Sequence, residues 1–115
     1  MLRVLFHLRL TEGAEQRFLD AYDAIRHRVA AVDGYLSDQV CQSADDPAEW
    51  LVLSEWASPA HFLAWEAGPE HRALAAPLVA CAVSRRSLRY EVRRATTAAD
   101  ARADEPRSVT WAATR

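Results

Sequence analysis

Apolar and polar positions alternate from Leu2 to Leu10, with Val4, Phe6 and Leu8 on one side and Leu5, His7 and Arg9 on the other. That is the period-two signature of a strand. Thr11-Glu12-Gly13 reads as a turn, with Thr11 placed to cap the next element. From Ala14 the period changes: Phe18, Ala21, Tyr22, Ile25, Val29 and Val32 recur at spacings of three and four. They form one apolar stripe on a helix, which Asp33-Gly34 ends with a glycine suited to a left-handed cap. Tyr35–Ser43 and Glu49–Trp56 read as strands around the turn at residues 44–48, so the two form a hairpin. Pro59–Leu78 carries a second helical region, broken near Gly68-Pro69, and Ser84–Arg94 predicts a fourth strand with Leu88, Tyr90 and Val92 on one face.

The order β-α-β-β-α-β predicts an α+β fold of the ferredoxin-like kind, with an antiparallel sheet and both helical regions on one face. The strands carry apolar residues on both sides: Leu51 and Leu53 oppose Trp50, Val52 and Trp56. A sheet apolar on both faces needs a second cover, which predicts a homodimer with sheets packed face to face. Residues 1–94 form one domain. Residues 95–115 are rich in Ala and Thr with mixed charge, and are expected to be a C-terminal tail, flexible or extended as an arm. Ser108-Val109-Thr110-Trp111 is the one stretch of it that reads as an added strand.

Composition narrows the function by exclusion. A net charge of −2 over 115 residues gives no pull toward nucleic acid or an anionic membrane surface. No apolar run approaches the ~18 residues of a membrane span, and the N-terminus reads as a strand rather than a signal peptide, so a cytoplasmic protein is expected. Cys41 and Cys81 have no CxxC partner and read as buried structural thiols. The three glycines, at positions 13, 34 and 68, build no phosphate loop or dinucleotide fingerprint, and there is no GxSxG elbow. His61 and His71 lie ten residues apart across a helix break, which is not ligand spacing, so no metal site is expected.

One segment carries a resemblance. From Glu49 to Leu78 a strand ending at Trp56 breaks at Ser58-Pro59, becomes a short helix with Phe62 and Trp65, and turns again after Gly68-Pro69. In that order and with those aromatics it resembles the antibiotic biosynthesis monooxygenase family, small dimeric α+β barrel proteins. The resemblance implies a cavity between helices and sheet that admits a flat polycyclic aromatic. It makes Trp65, in the Phe-x-x-Trp helix, a cavity wall; a core aromatic packing helix onto sheet is the structural alternative. Several family members carry a polar cavity residue, often asparagine, on the first strand near the position of His7.

A histidine inside an apolar strand is costly unless it is paired or used, and histidine is the side chain best suited to accept a proton near neutral pH. His7 is therefore the expected base, with a histidine satisfied by backbone or water as the alternative. Tyr22 and Arg26 share a helix face, where Arg26 can steady a developing anion and Tyr22 can donate a hydrogen bond. His7, Arg26 and Trp65 are the expected catalytic residues. Tyr22, Phe62, His61, His71 and Tyr90 are the expected substrate contacts, and Arg89 and Glu91 either reach the cavity or pair with each other.

The family holds cofactor-free oxidation of anthrones to quinones and, separately, haem degradation. The haem-ligand position falls near Ala75, and the chain has no asparagine. The expected function is a cofactor-independent monooxygenase that oxidises a polycyclic anthrone- or phenol-type polyketide intermediate to a quinone. Molecular oxygen is its co-substrate and it has no cofactor. Alternatives are a polyketide cyclase or an accessory protein using the same cavity without oxygen, a haem-degrading enzyme, or a general quinol oxidase.

Overall fold

A computed structural model of the chain describes residues 1–104. The elements run β1 (Leu2–Leu10), α1 (Glu15–Ala30), β2 (Tyr35–Gln42), β3 (Glu49–Trp56), α2 (Pro59–Ala67), α3 (Pro69–Val79), β4 (Ala82–Glu91) and α4 (Ala98–Asp104). The four strands make one antiparallel sheet in the order β2-β3-β1-β4. This is the ferredoxin-like α+β fold expected from the order of elements.

Strand parity sorts every side chain to one of two faces. Leu2, Val4, Leu8 and Leu10 of β1 are buried beneath the helices, as are Trp50 and Trp56 of β3. The core divides into two clusters. One holds Leu8, Leu10, Ala14, Phe18, Trp50, Leu78 and Cys81; Phe18 meets Trp50 edge-on, ring centroids 5.6 Å apart. The other holds Leu2, Val4, Trp56 and Phe62, with Tyr35 and Trp65 packed against it. Fully burying one such apolar side chain is worth about 1.5–3 kcal/mol, so these clusters dominate the fold's stability.

The opposite face carries Leu5 paired with Leu53 and Leu88, and His7 paired with Leu51 and Arg86. Near one end of that face Arg3 bridges to Glu55 at 2.8 Å; near the other Arg9 bridges to Glu49 at 2.7 Å and Asp46 at 3.0 Å. No element of the described residues covers it. Its centre is a set of half-exposed leucines with charged pairs around it.

Several local details differ from the sequence reading. The helix α1 is capped by Ala14 without a side-chain hydrogen bond; Thr11 contributes only its carbonyl, which accepts from the Ala14 N–H at 3.0 Å. Gly34, at φ +84°, lies three residues past the C-cap Ala31, and its lack of Cβ makes room for the His61 ring, with which an added carbon would collide. Strand β4 begins two residues earlier and ends three earlier than the expected 84–94. Residues 98–104 of the expected flexible or extended tail form the helix α4, with Thr97 and Asp100 exchanging side-chain to backbone hydrogen bonds at its start. The added strand read at 108–111 lies outside the described residues. Cys81 is buried and its thiol donates to the Pro77 carbonyl, but Cys41 is only half-buried, on the open face. Among the described residues no helix is long and apolar enough to cross a membrane.

Candidate active site

Between the helices and the sheet lies a cavity of about 350 Å³, inside the range of about 300–1,000 Å³ typical of small-molecule sites. Its floor is the helix-facing side of the sheet: Val4 and Phe6 of β1, Val52, Ser54 and Trp56 of β3, Asp38 of β2, Arg85 and Ser87 of β4. Helix α1 supplies Tyr22, Ile25, Arg26 and Val29; α2 supplies Phe62 and Trp65; α3 supplies His71, Leu74 and Ala75.

One wall is aromatic. Trp56 lies nearly parallel to Trp65 (21° between planes, centroids 6.5 Å apart) and meets Phe62 edge-on at 5.5 Å. Pro59 in the first turn of α2, with Ser58 accepting the His61 N–H at 3.2 Å, starts that helix where Phe62 and Trp65 both face the sheet. The His71 ring, in the first turn of α3, stands at 90° to Trp65 with centroids 5.4 Å apart. The Trp56 indole N–H donates to Ser54 Oγ at 3.0 Å, so that indole is satisfied by the protein.

Beside Trp56 lies the polar cluster, where the Tyr35 ring meets Trp56 edge-on with centroids 5.7 Å apart. Asp38 accepts hydrogen bonds from the Tyr22 hydroxyl and, at 2.7 Å, from the Tyr35 hydroxyl. A register shift between Tyr35 and Ser37 makes this possible: it turns Tyr35, opposite Trp56, to the same face as Asp38, opposite Ser54. Burial first, and then the bond to Asp38, pushes the Tyr22 phenol up to about 12, and the same two causes raise Tyr35 further. Both phenols therefore stay protonated donors at neutral pH. Arg26 lies over the Tyr22 ring at 5.2 Å and pairs loosely with Asp23 at 3.6 Å.

The expected site residues divide. Tyr22, Arg26, Phe62, Trp65 and His71 line the cavity together. His7 does not. It sits on the opposite face of the sheet, in a shallow depression with Arg9, Glu49 and Arg86, because parity puts it on the side of Leu5 while Phe6 and Leu8 face the helices. Tyr90 shares that open face and is 54% exposed. His61 lies in a separate hollow with Val32 and Asp33, its Nδ1 2.7 Å from Ser58 Oγ and its Nε2 3.7 Å from Asp33. Arg89 reaches Glu66 at 3.7 Å and stacks over Phe62, so it braces the rim rather than pairing with Glu91.

Sequence reasoning missed Asp38 and Arg85. The signal for Asp38 was present: aspartate is disfavoured in strands, and it shares parity with Val40. Arg85 was hidden because Leu88 and Tyr90 drew attention to the other side of β4. Among the described residues Arg85 has no carboxylate partner, and it lies both in the cavity and at its outer mouth beside His71 and Ala75.

A sequence model described as antibiotic biosynthesis monooxygenase matches residues 1–77. The chain belongs to that family. Among curated proteins it is 49% identical over 107 residues to a 42.8 kDa protein in the whiE locus of Streptomyces coelicolor, covering 93% of this chain and 27% of that protein. It is 43% identical over 95 residues to protein SchA of Streptomyces halstedii, covering 83% of this chain and 25% of that one. The chain thus spans about a quarter of the length of the curated relatives it matches. Among solved structures it is similar to SnoaB, a cofactor-independent oxygenase from Streptomyces nogalater, with a TM-score of 0.72 over 82% of this chain and 94% of that one. At 15% identity that likeness concerns the fold.

Proposed function

We propose that this domain oxidises a flat, phenolic polycyclic polyketide intermediate of the anthrone type to a quinone, using molecular oxygen and no cofactor. The observation that carries the reading is the cavity itself: a tryptophan-walled, largely apolar slot with one imidazole and two guanidinium groups at its edge. Membership of a monooxygenase family, and relatives that include a polyketide synthase named CurD from Streptomyces cyaneus, 42% identical over 95 residues, support it.

Trp65 and Trp56 stack on the ring system. His71, at the edge of Trp65, accepts the proton from the central methylene, whose anion is delocalised over the aromatic system. Arg85 and Arg26 hold the developing oxyanion. The carbanion is electron-rich enough to reduce oxygen directly. One oxygen atom becomes the new carbonyl and the other leaves as water. The methylene carbon loses four electrons and oxygen gains four, so no external reductant is needed. Apolar walls keep water from the intermediate. The open sheet face, with Leu5, Leu53 and Leu88 at its centre, packs on a second copy, giving a homodimer with one cavity in each subunit.

Oxygen uptake with an anthrone such as dithranol, in the presence of chelator and without flavin, tests the reading. Enzyme-dependent uptake of one oxygen per anthrone, with label from ¹⁸O₂ in the new carbonyl, supports it. Uptake at the spontaneous rate refutes it. Ring closure of a poly-β-ketone without oxygen consumption would make the same cavity a cyclase.

A further inference from the structure

Asp38 is an anion on the wall of a mostly apolar cavity, and its partners are two phenols rather than a cation. Each of its oxygens accepts one tyrosine hydroxyl. A carboxylate offers about four acceptor positions, so the two bonds fix its plane and leave positions on each oxygen for a third donor. Arg26, also on the cavity wall, lies over the face of Tyr22 and pairs with Asp23. Of the two phenols only Tyr22 lines the cavity; Tyr35 holds the carboxylate from behind, where the irregularity in β2 brings it round. Across from Asp38 stands Ser54, whose hydroxyl already accepts from Trp56.

An acceptor-only group aimed into an apolar slot selects a ligand that brings a donor. We propose that the Tyr22–Asp38–Tyr35 cluster is a hydroxyl-reading subsite, in which the Asp38 carboxylate accepts a hydrogen bond from a phenolic O–H of the bound aromatic. The cavity thus takes free phenols and rejects their O-methyl ethers. A methyl ether gives the carboxylate no hydrogen and sets a methyl group against it, leaving a partly desolvated charge short of a partner. The subsite also fixes which edge of the ring system points toward β2 and which toward His71. The proposal rests on the reading that the cavity holds a polycyclic aromatic, and it is independent of whether that aromatic is then oxidised.

The test uses ligands that are already quinones, so no turnover intervenes. Binding of 2-hydroxyanthraquinone and of 2-methoxyanthraquinone is followed by quenching of tryptophan fluorescence, at a pH where the free phenol is protonated. The wild-type protein is expected to prefer the hydroxyl compound by about tenfold or more, tenfold being about 1.4 kcal/mol. Asp38→Ala, which removes the acceptor altogether, is expected to bring the ratio close to one while the methoxy compound binds as before or better. Tyr35→Phe, which leaves the cavity wall intact, is expected to lower the ratio without abolishing it. Equal affinities in the wild-type protein overturn the proposal without any variant. A preference that survives in folded Asp38→Ala overturns it as well. If neither quinone binds, the aromatic-cavity reading and the subsite fall together. If the hydroxyl preference is present but anthrone-dependent oxygen uptake is absent, the oxygenase reading falls and the subsite stands.

Discussion

The two faces of the sheet are built from the same strands and do different work. On the helix side, Val4, Phe6, Val52 and Trp56 form the floor of a cavity that the helices roof with Trp65, His71 and Tyr22. On the open side, Leu5, Leu53 and Leu88 sit half-exposed between charged pairs, with His7 and Tyr90 among them. The faces are interleaved residue by residue: Phe6 belongs to one and His7 to the next. The difference teaches that access to the cavity follows strand parity more than residue type. A histidine in the first strand draws the eye, yet the imidazole that lines the cavity is His71 of α3.

The largest effect expected from breaking this comparison lies in the helix-side core. Phe18 is fully buried against Trp50. Phe18→Ala should cost about 3–5 kcal/mol by urea melts. The same truncation of Leu5 on the open face should cost less in the isolated subunit, because Leu5 is already part-exposed there. Equal losses at both positions would mean that the open face is as well covered as the core.

The open face supplies the second expectation. Leu53→Arg places a charge at the centre of the proposed interface. By sedimentation it should convert dimer to monomer, with cavity ligands still bound. A wild-type protein that is monomeric at micromolar concentration would remove the homodimer from the account.

A smaller effect lies in the polar cluster. An unfolded tyrosine ionises near pH ~10, whereas Tyr22 in the folded chain does so at about 12. Between those values the unfolded chain has released a proton that the folded chain keeps. Stability present below pH ~10 is therefore lost as pH rises toward 12. Asp38→Ala removes the second cause of the shift and leaves burial, so its stability should fall less steeply between pH 9 and pH 11. Identical slopes would show that the carboxylate does not hold the phenols. The smallest effect is at His7: its replacement by alanine should leave ligand binding unchanged, as binding titrations would show.

Much of the fold was legible because its signals are local and redundant. The alternation in β1, the three-and-four spacing of Phe18, Tyr22 and Ile25, and the Ser58-Pro59 and Gly68-Pro69 breaks each announce an element. The aromatic wall was legible for the same reason, since Phe62 and Trp65 sit on one short helix. What the sequence concealed was parity. In β1 both faces carry leucines, so hydrophobicity alone leaves the side of His7 open. In β4 the apolar residues Leu88 and Tyr90 lie on the open face while Arg85 and Arg89 lie on the cavity side, the reverse of what burial within one subunit would select. The Asp38 cluster depends on a strand irregularity at Tyr35–Ser37 that no local residue pattern declared. Each miss falls where side-chain direction, set by register, outweighs the local residue pattern.

The most direct test of the central claim, that the helix-side cavity performs the chemistry, is anthrone-dependent oxygen uptake measured side by side for His71→Ala and His7→Ala. The account predicts that His71→Ala falls at least about a hundredfold, the scale of a lost general base, while its melting temperature stays close to wild type. It predicts that His7→Ala keeps the wild-type rate. Loss of uptake in His7→Ala with full activity in His71→Ala would contradict it and move the reaction to the open face of the sheet.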